Sequence, residues 1–147
     1  RPFPLSKVLS IEQQKRNPAE VIAVQVADDH RIDLLDIQFA LPQVAVKGLA
    51  HITGGGITEN IPRVLPDGLA AEFDTASWQQ GPVFDFLQEH GSIETAEMRR
   101  TFNCGVGMVV VVSDKVADQA IELLEAHGES AWRIGRIVPG DQGVQYT

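Results

Sequence analysis

Cysteine is nearly absent: Cys104 stands alone in 147 residues, so no disulfide can form within the chain, and the composition fits a reducing, cytoplasmic setting. Positive charge is also scarce. Twelve Lys and Arg face 20 Asp and Glu, a formal net charge of −8, and no basic run exceeds the pairs Lys15-Arg16 and Arg99-Arg100. Nucleic acid and anionic membranes are therefore not expected as partners, because neutralising a phosphate surface takes a concentrated positive face. No apolar run approaches the roughly 20 residues that cross a bilayer, and Arg1 to Ser10 lacks the charged-then-apolar layout of a signal peptide. The four histidines, at 30, 51, 90 and 127, have no ligand spacing, so no metal site is expected. Trp78 and Trp132 read as core anchors rather than base-stacking platforms.

What remains is a chain of single-domain size with regular apolar patterning. β-branched, alternating stretches predict strands over Glu20 to Ala27 and Ile32 to Phe39, paired as the simplest hairpin, after a short helix from Ser6 to Gln14. Pro42 marks a boundary, which makes 1–42 an extension of unclear origin. Val44 to Thr53 predicts a buried strand that runs into Gly54-Gly55-Gly56, and Ile57 to Val64 a short helix opened by Thr58 and limited by Pro62. Leu69 to Phe73 follows as a strand. Pro82 sits at the first position of a helix whose Val83, Phe84, Phe86, Leu87 and His90 form one buried face, ended by Gly91. A helix over Glu94 to Phe102 leads to a strand over Met108 to Val112. Asp114 caps a helix from Lys115 to His127 that buries Val116, Ala120, Leu123 and Leu124, and Trp132 to Val138 is the last strand. The residues 43–138 thus read as an α/β (α+β layered) domain, a mixed sheet flanked by helices, and 139–147 as a polar, mobile tail.

Two glycine-bearing turns carry the candidate chemistry. Three consecutive glycines between a strand and a helix let backbone amides converge on an anion, although such a triplet is more often a tight turn. Arg63, downstream, suits a phosphoryl group, with Glu59 or Asn60 bonding a sugar or a metal-bound water; the bland alternative is a helix start and a solvated charge. His51, close to the loop, is either a proton-transfer residue or a structural histidine. The second turn, Asn103-Cys104-Gly105-Val106-Gly107, has amides that suit the mouth of the same cleft. Cys104 has no activating base nearby in sequence and reads as a buried, inert thiol, and Asn103 as the residue that closes the turn.

The stretches GLAHITGGGITENIPRVLP at 48–66 and EMRRTFNCGVGM at 97–108 resemble the two signatures of the aminoimidazole ribonucleotide synthetase (phosphoribosylformylglycinamidine cyclo-ligase) C-terminal domain. Supporting matches run through Ser77-Trp78, Pro82 to Gly91 and Ala131 to Gly135, so the resemblance covers about Val44 to Val138. It implies the fold shared with selenophosphate synthetase, thiamine-monophosphate kinase, the hydrogenase-maturation dehydratase and the large amidotransferase of purine synthesis. It also implies an ATP-dependent ring closure of formylglycinamidine ribonucleotide, with ATP and Mg2+ bound mainly by an N-terminal domain that these residues do not include. That domain would be this chain's partner and would form the homodimer. By position, Thr53, Gly54, Gly55, Gly56 and Arg63 would contact phosphate, with His51 catalytic or orienting. Glu59, Asn60, Asn103, Cys104 and Gly105 would line the cleft. Arg99 stands where the family usually has Tyr. Two alternatives fit the same residues: another member of the ATP-binding group, or a non-catalytic binding or assembly module shaped by residues 1–42.

Overall fold

The computed structural model describes residues 18–25, 37 and 40–147; the helix expected over Ser6 to Gln14 lies outside them. Among the described residues six strands form one sheet: β1 (Ala19–Gln25), β2 (Gly48–His51), β3 (Leu69–Phe73), β4 (Val106–Ser113), β5 (Ser130–Pro139) and β6 (Val144–Tyr146), in the order β2-β4-β1-β5-β3-β6. Helices that lie wholly within the described residues are α1 (Gly56–Asn60), α2 (Pro82–Gly91), α3 (Thr95–Thr101) and α4 (Ala117–Ala126), with single 3-10 turns at Pro62–Val64, Thr75–Ser77 and Asp114–Val116.

β1 lies inside the sheet because nearly every residue in it is apolar and both its faces are covered. Its alternation sends Val21 and Ala23 to one core, with Val109, Val111, Ile134, Phe73 and the loop-side Ile52, Ile57 and Ile61. Ile22 and Val24 go to the other, with Val110, Val112, Ala117, Ala120 and Leu124. The first core therefore positions α1 and the glycine loop, while the second seats α4.

Several expectations change. β1 pairs antiparallel with β4 and β5, not in a hairpin with the following segment. Of that segment only Ile37 is described; it is helical, as is Ala40 just beyond the segment, and both are buried against the α4 face of the sheet. The sheet thus joins β1, before Pro42, to everything after it. The polar end is not loose, since β6 pairs parallel with β3. Asp114 gives α4 no side-chain cap; its Oδ1 accepts from Arg133 Nη1 at 3.1 Å, a charge-assisted bond that outcompetes capping. Within α4, Ala117, Ala120 and Leu124 are buried, and Val116 and Leu123 are only partly so.

Helix α2 begins at Pro82 as expected, but it buries no residue. Val83, Phe86 and Leu87 are 67%, 58% and 36% exposed, so the apolar side of the helix is not seated on the core. The helix closes on Ser92 in the left-handed conformation, φ 50°, one residue beyond the expected stop at Gly91.

Candidate functional site

β2 delivers Ile52 and Thr53 to the glycine loop, and the loop turns into α1 at Gly56. Thr58 does not open α1; Gly55 stands at its N-cap with φ 97°. The three glycines meet different demands. Gly56 has φ 58°, and a Cβ there would run into the backbone carbonyl oxygens of Arg99 and Phe102, so the end of α3 sits directly on this residue. At Gly55 a Cβ would meet Glu59, whose side chain folds back to within 2.8 Å. At Gly54 a Cβ would have no atom within 4 Å; the fold itself has no steric need for glycine there.

The loop is braced from within. Asn60 is 6% exposed, and its Nδ2 donates to the carbonyls of Gly56 at 2.8 Å and of Thr53 and Gly54 at 3.3 Å. A buried amide needs such partners, since an unpaired one costs about 1–3 kcal/mol. Asn60 therefore shapes the loop and does not face the cleft. Its Oδ1 is approached by Arg63 Nη1 at 3.5 Å, a long contact that leaves the exposed Arg63 guanidinium weakly held.

The second turn faces the first. Asn103 Oδ1 accepts from Gly105 N at 3.0 Å, closing the turn as an Asx motif, and Cys104 and Gly105 both take positive φ, 49° and 86°. Cys104 is buried, and its Sγ lies 3.5 Å from the Met98 carbonyl. Burial pushes the thiol pKa up, with Arg99 opposing, so the group is a poor nucleophile at neutral pH.

Between the two turns lies a cavity of about 300 Å³, lined by Ile52, Thr53, Gly54, Phe84, Thr101, Phe102 and Asn103. Thr53, Gly54 and Asn103 of the expected residues reach it. His51 is exposed at the end of β2, and Glu59 and Arg63 are exposed around α1; none of the three is among the lining residues, nor are Gly55, Gly56, Asn60, Cys104 or Gly105. The lining residues not expected from sequence are Ile52, Phe84, Thr101 and Phe102. Phe84 and Phe102 pair with each other in this lining, with ring centroids 6.1 Å apart and tilted by 55°. Phe102 and Ile52 adjoin expected residues in the two signatures, so neighbourhood in the motif was the available signal; Phe84 comes from a distant helix and had none.

The family description "AIR synthase related protein, C-terminal domain" matches residues 4–146. The chain belongs to this AIR synthase-related C-terminal domain family. Two relatives of this family are named phosphoribosylformylglycinamidine cyclo-ligase. That of Paraburkholderia xenovorans is 60% identical over 107 residues, covering 73% of this chain and 30% of its own length. That of Methylobacillus flagellatus is 57% identical over 117 residues, 80% of this chain and 34% of its own. The chain spans about a third of the length of these relatives. Among solved structures, E. coli HypE, a hydrogenase maturation protein, superposes with a TM-score of 0.63 at 16% identity, over 87% of this chain and 46% of that one. This likeness places the sheet and helices of the AIR synthase-related domain in a fold that other proteins also use.

Proposed function

We propose that this chain is the C-terminal part of an ATP-dependent cyclo-ligase that converts formylglycinamidine ribonucleotide to aminoimidazole ribonucleotide, and that it closes one side of the substrate cleft. The observation that carries this reading is the convergence of the two signature turns on a single cavity, lined by Thr53 and Gly54 from the first and by Asn103 from the second. The relatives' name supports the substrate class. The string Thr53-Gly54-Gly55-Gly56, Glu59-Asn60 and Pro62-Arg63 is intact, which favours the cyclo-ligase over another member of the same ATP-using group.

In this reading ATP turns the formyl oxygen into a phosphate leaving group, and the amidine nitrogen attacks the activated carbon. The ring closes, and ADP and phosphate are released. Catalysis of this kind depends on positioning and on stabilising charge at the transferred phosphoryl group. Gly54 supplies a wall without a Cβ, so phosphate or ribose oxygens approach the backbone closely. Thr53 and Asn103 supply polar contacts, and Phe84 and Phe102 an apolar wall. Arg63 contacts phosphate from the rim together with the Gly55 and Gly56 turn, and His51 orients or transfers a proton.

Among the described residues no three His, Cys, Asp or Glu side chains come together to hold a metal. The family resemblance, rather than any feature of these residues, assigns Mg2+, most of the ATP contacts and the homodimer contact to the N-terminal domain of the whole enzyme. The apolar face of α2 supports such a partner, since Val83, Phe86 and Leu87 form the kind of exposed patch that marks an interaction surface.

The test is isothermal titration of this chain with formylglycinamidine ribonucleotide and with magnesium-ATP, in wild type and Arg63→Ala. The reading predicts ribonucleotide binding that weakens by about 1.5–3 kcal/mol in the variant, the range of a charge-assisted contact. Binding of neither ligand would remove the claim of a pre-formed site on this chain.

A further inference from the structure

Helix α1 is five residues long, far below the length at which a helix persists on its own, yet it carries the loop that walls the cavity. Apart from Asn60, the polar ties that hold it come largely from the far end of the chain. Tyr146 Oη lies 2.7 Å from Thr58 Oγ1, at the middle of α1, and Thr58 Oγ1 in turn donates to the Arg99 carbonyl at 3.3 Å. Gln142 Nε2 donates to the carbonyls of Pro62 and Leu65, each at 2.7 Å, where the chain leaves α1.

This end segment is itself anchored. β6 pairs with β3, Thr147 N donates to the Phe73 carbonyl at 2.9 Å, and Thr75 N donates to the Thr147 carbonyl at 2.9 Å. Tyr146 also packs its ring against Phe73, centroids 6.2 Å apart, while the Arg99 guanidinium lies 4.5 Å from the Tyr146 ring centroid. The ring is thus held between the sheet and the end of α3, with its hydroxyl aimed at α1.

We propose that residues 142–147 act as a clamp that holds α1 in place, with Tyr146 and Gln142 as positioning residues for the cavity wall formed by Thr53 and Gly54. Neither residue lines the cavity, so each acts through α1. The ligand-binding consequence rests on the cyclo-ligase reading, whereas the clamp does not.

The experiment compares wild type, Tyr146→Phe and Gln142→Ala by site-resolved amide hydrogen exchange, alongside titration with formylglycinamidine ribonucleotide. Tyr146→Phe keeps the ring contacts and removes the hydroxyl alone. Exchange of residues 53–61 is expected to rise by roughly three- to tenfold in Tyr146→Phe, the equilibrium equivalent of one net hydrogen bond, and by at least as much in Gln142→Ala, which loses two, while β4 stays protected as in wild type. Ribonucleotide affinity is expected to fall by a similar factor, and Thr58→Ser, which keeps the hydroxyl, to leave both readouts near wild type. Unchanged exchange at 53–61 overturns the clamp. So does an equal rise in β4, which would mean general loosening of the sheet. If wild type binds no ribonucleotide, the cyclo-ligase reading fails at this cavity, and the exchange data still decide the clamp.

Discussion

Replacing Gly56 and Gly54 separately by alanine separates what the fold needs from what a ligand needs. At Gly56 the new Cβ is placed at φ 58° and against the carbonyl oxygens of Arg99 and Phe102. The left-handed conformation costs an L-residue roughly 1–2 kcal/mol, and forcing atoms into a filled space typically costs about 1–3 kcal/mol. Together they amount to about 3 kcal/mol, a large part of the roughly 5–15 kcal/mol that holds a domain folded. For a chain of this size that corresponds to a loss of about 6–12 °C in Tm. At Gly54 the added methyl meets no atom within 4 Å, and such a substitution changes stability by no more than about 0.5 kcal/mol. Thermal and urea unfolding, followed by circular dichroism and by the fluorescence of Trp78 and Trp132, read both changes. Unfolding of Gly56→Ala within about 1 °C of wild type, or equal damage from Gly54→Ala, would refute this assignment of the two glycines.

Two further outcomes are expected. Asn60→Ala leaves the carbonyls of Thr53, Gly54 and Gly56 without their shared donor; a loss of about 1–3 kcal/mol in urea unfolding is expected, and a change below the error of the fit would contradict the brace. Burial raises the pKa of the Cys104 thiol above its usual 9.0 and of the Tyr146 phenol above 10.0. Both groups are protonated in either state at neutral pH, and above about pH 9 the unfolded chain releases its protons first, so stability falls as pH rises through the folded values. Unfolding measured from pH 8 to 11 should show this alkaline loss, reduced in Cys104→Ala compared with wild type; a flat profile would contradict it.

Much of the sheet is legible in the sequence because β-branched runs such as VGMVVVVS and AEVIAVQ are buried on both faces, and burial selects for that composition. Their pairing is not legible: β1 joins β4 and β5, contacts made across most of the chain's length. β6 has only three residues and owes its strand state to β3, so its own pattern reads as a polar end. The amphipathic spacing of α2 announces an apolar face without saying whether anything covers it. Asp114 looks like a cap until Arg133, 19 residues on, takes its carboxylate.

The site divides in the same way. The two signatures locate Thr53, Gly54 and Asn103, because glycine-bearing turns after and before strands bring backbone into a cleft. They do not separate Gly54, which faces the cavity, from Gly56, which is needed under α3. Asn60 reads as a cleft residue beside Glu59, whereas helical geometry turns its amide inward to the loop carbonyls. Phe84 reaches the cavity only through the placement of α2.

The central claim is that the cavity between the two turns receives the substrate. It is tested most directly by mapping amide chemical shifts of the labelled chain as formylglycinamidine ribonucleotide is added. The account predicts saturable shifts centred on residues 52–56 and 101–105, abolished in Gly54→Ala while that variant's spectrum stays folded. Saturable shifts elsewhere with these two stretches silent would contradict it.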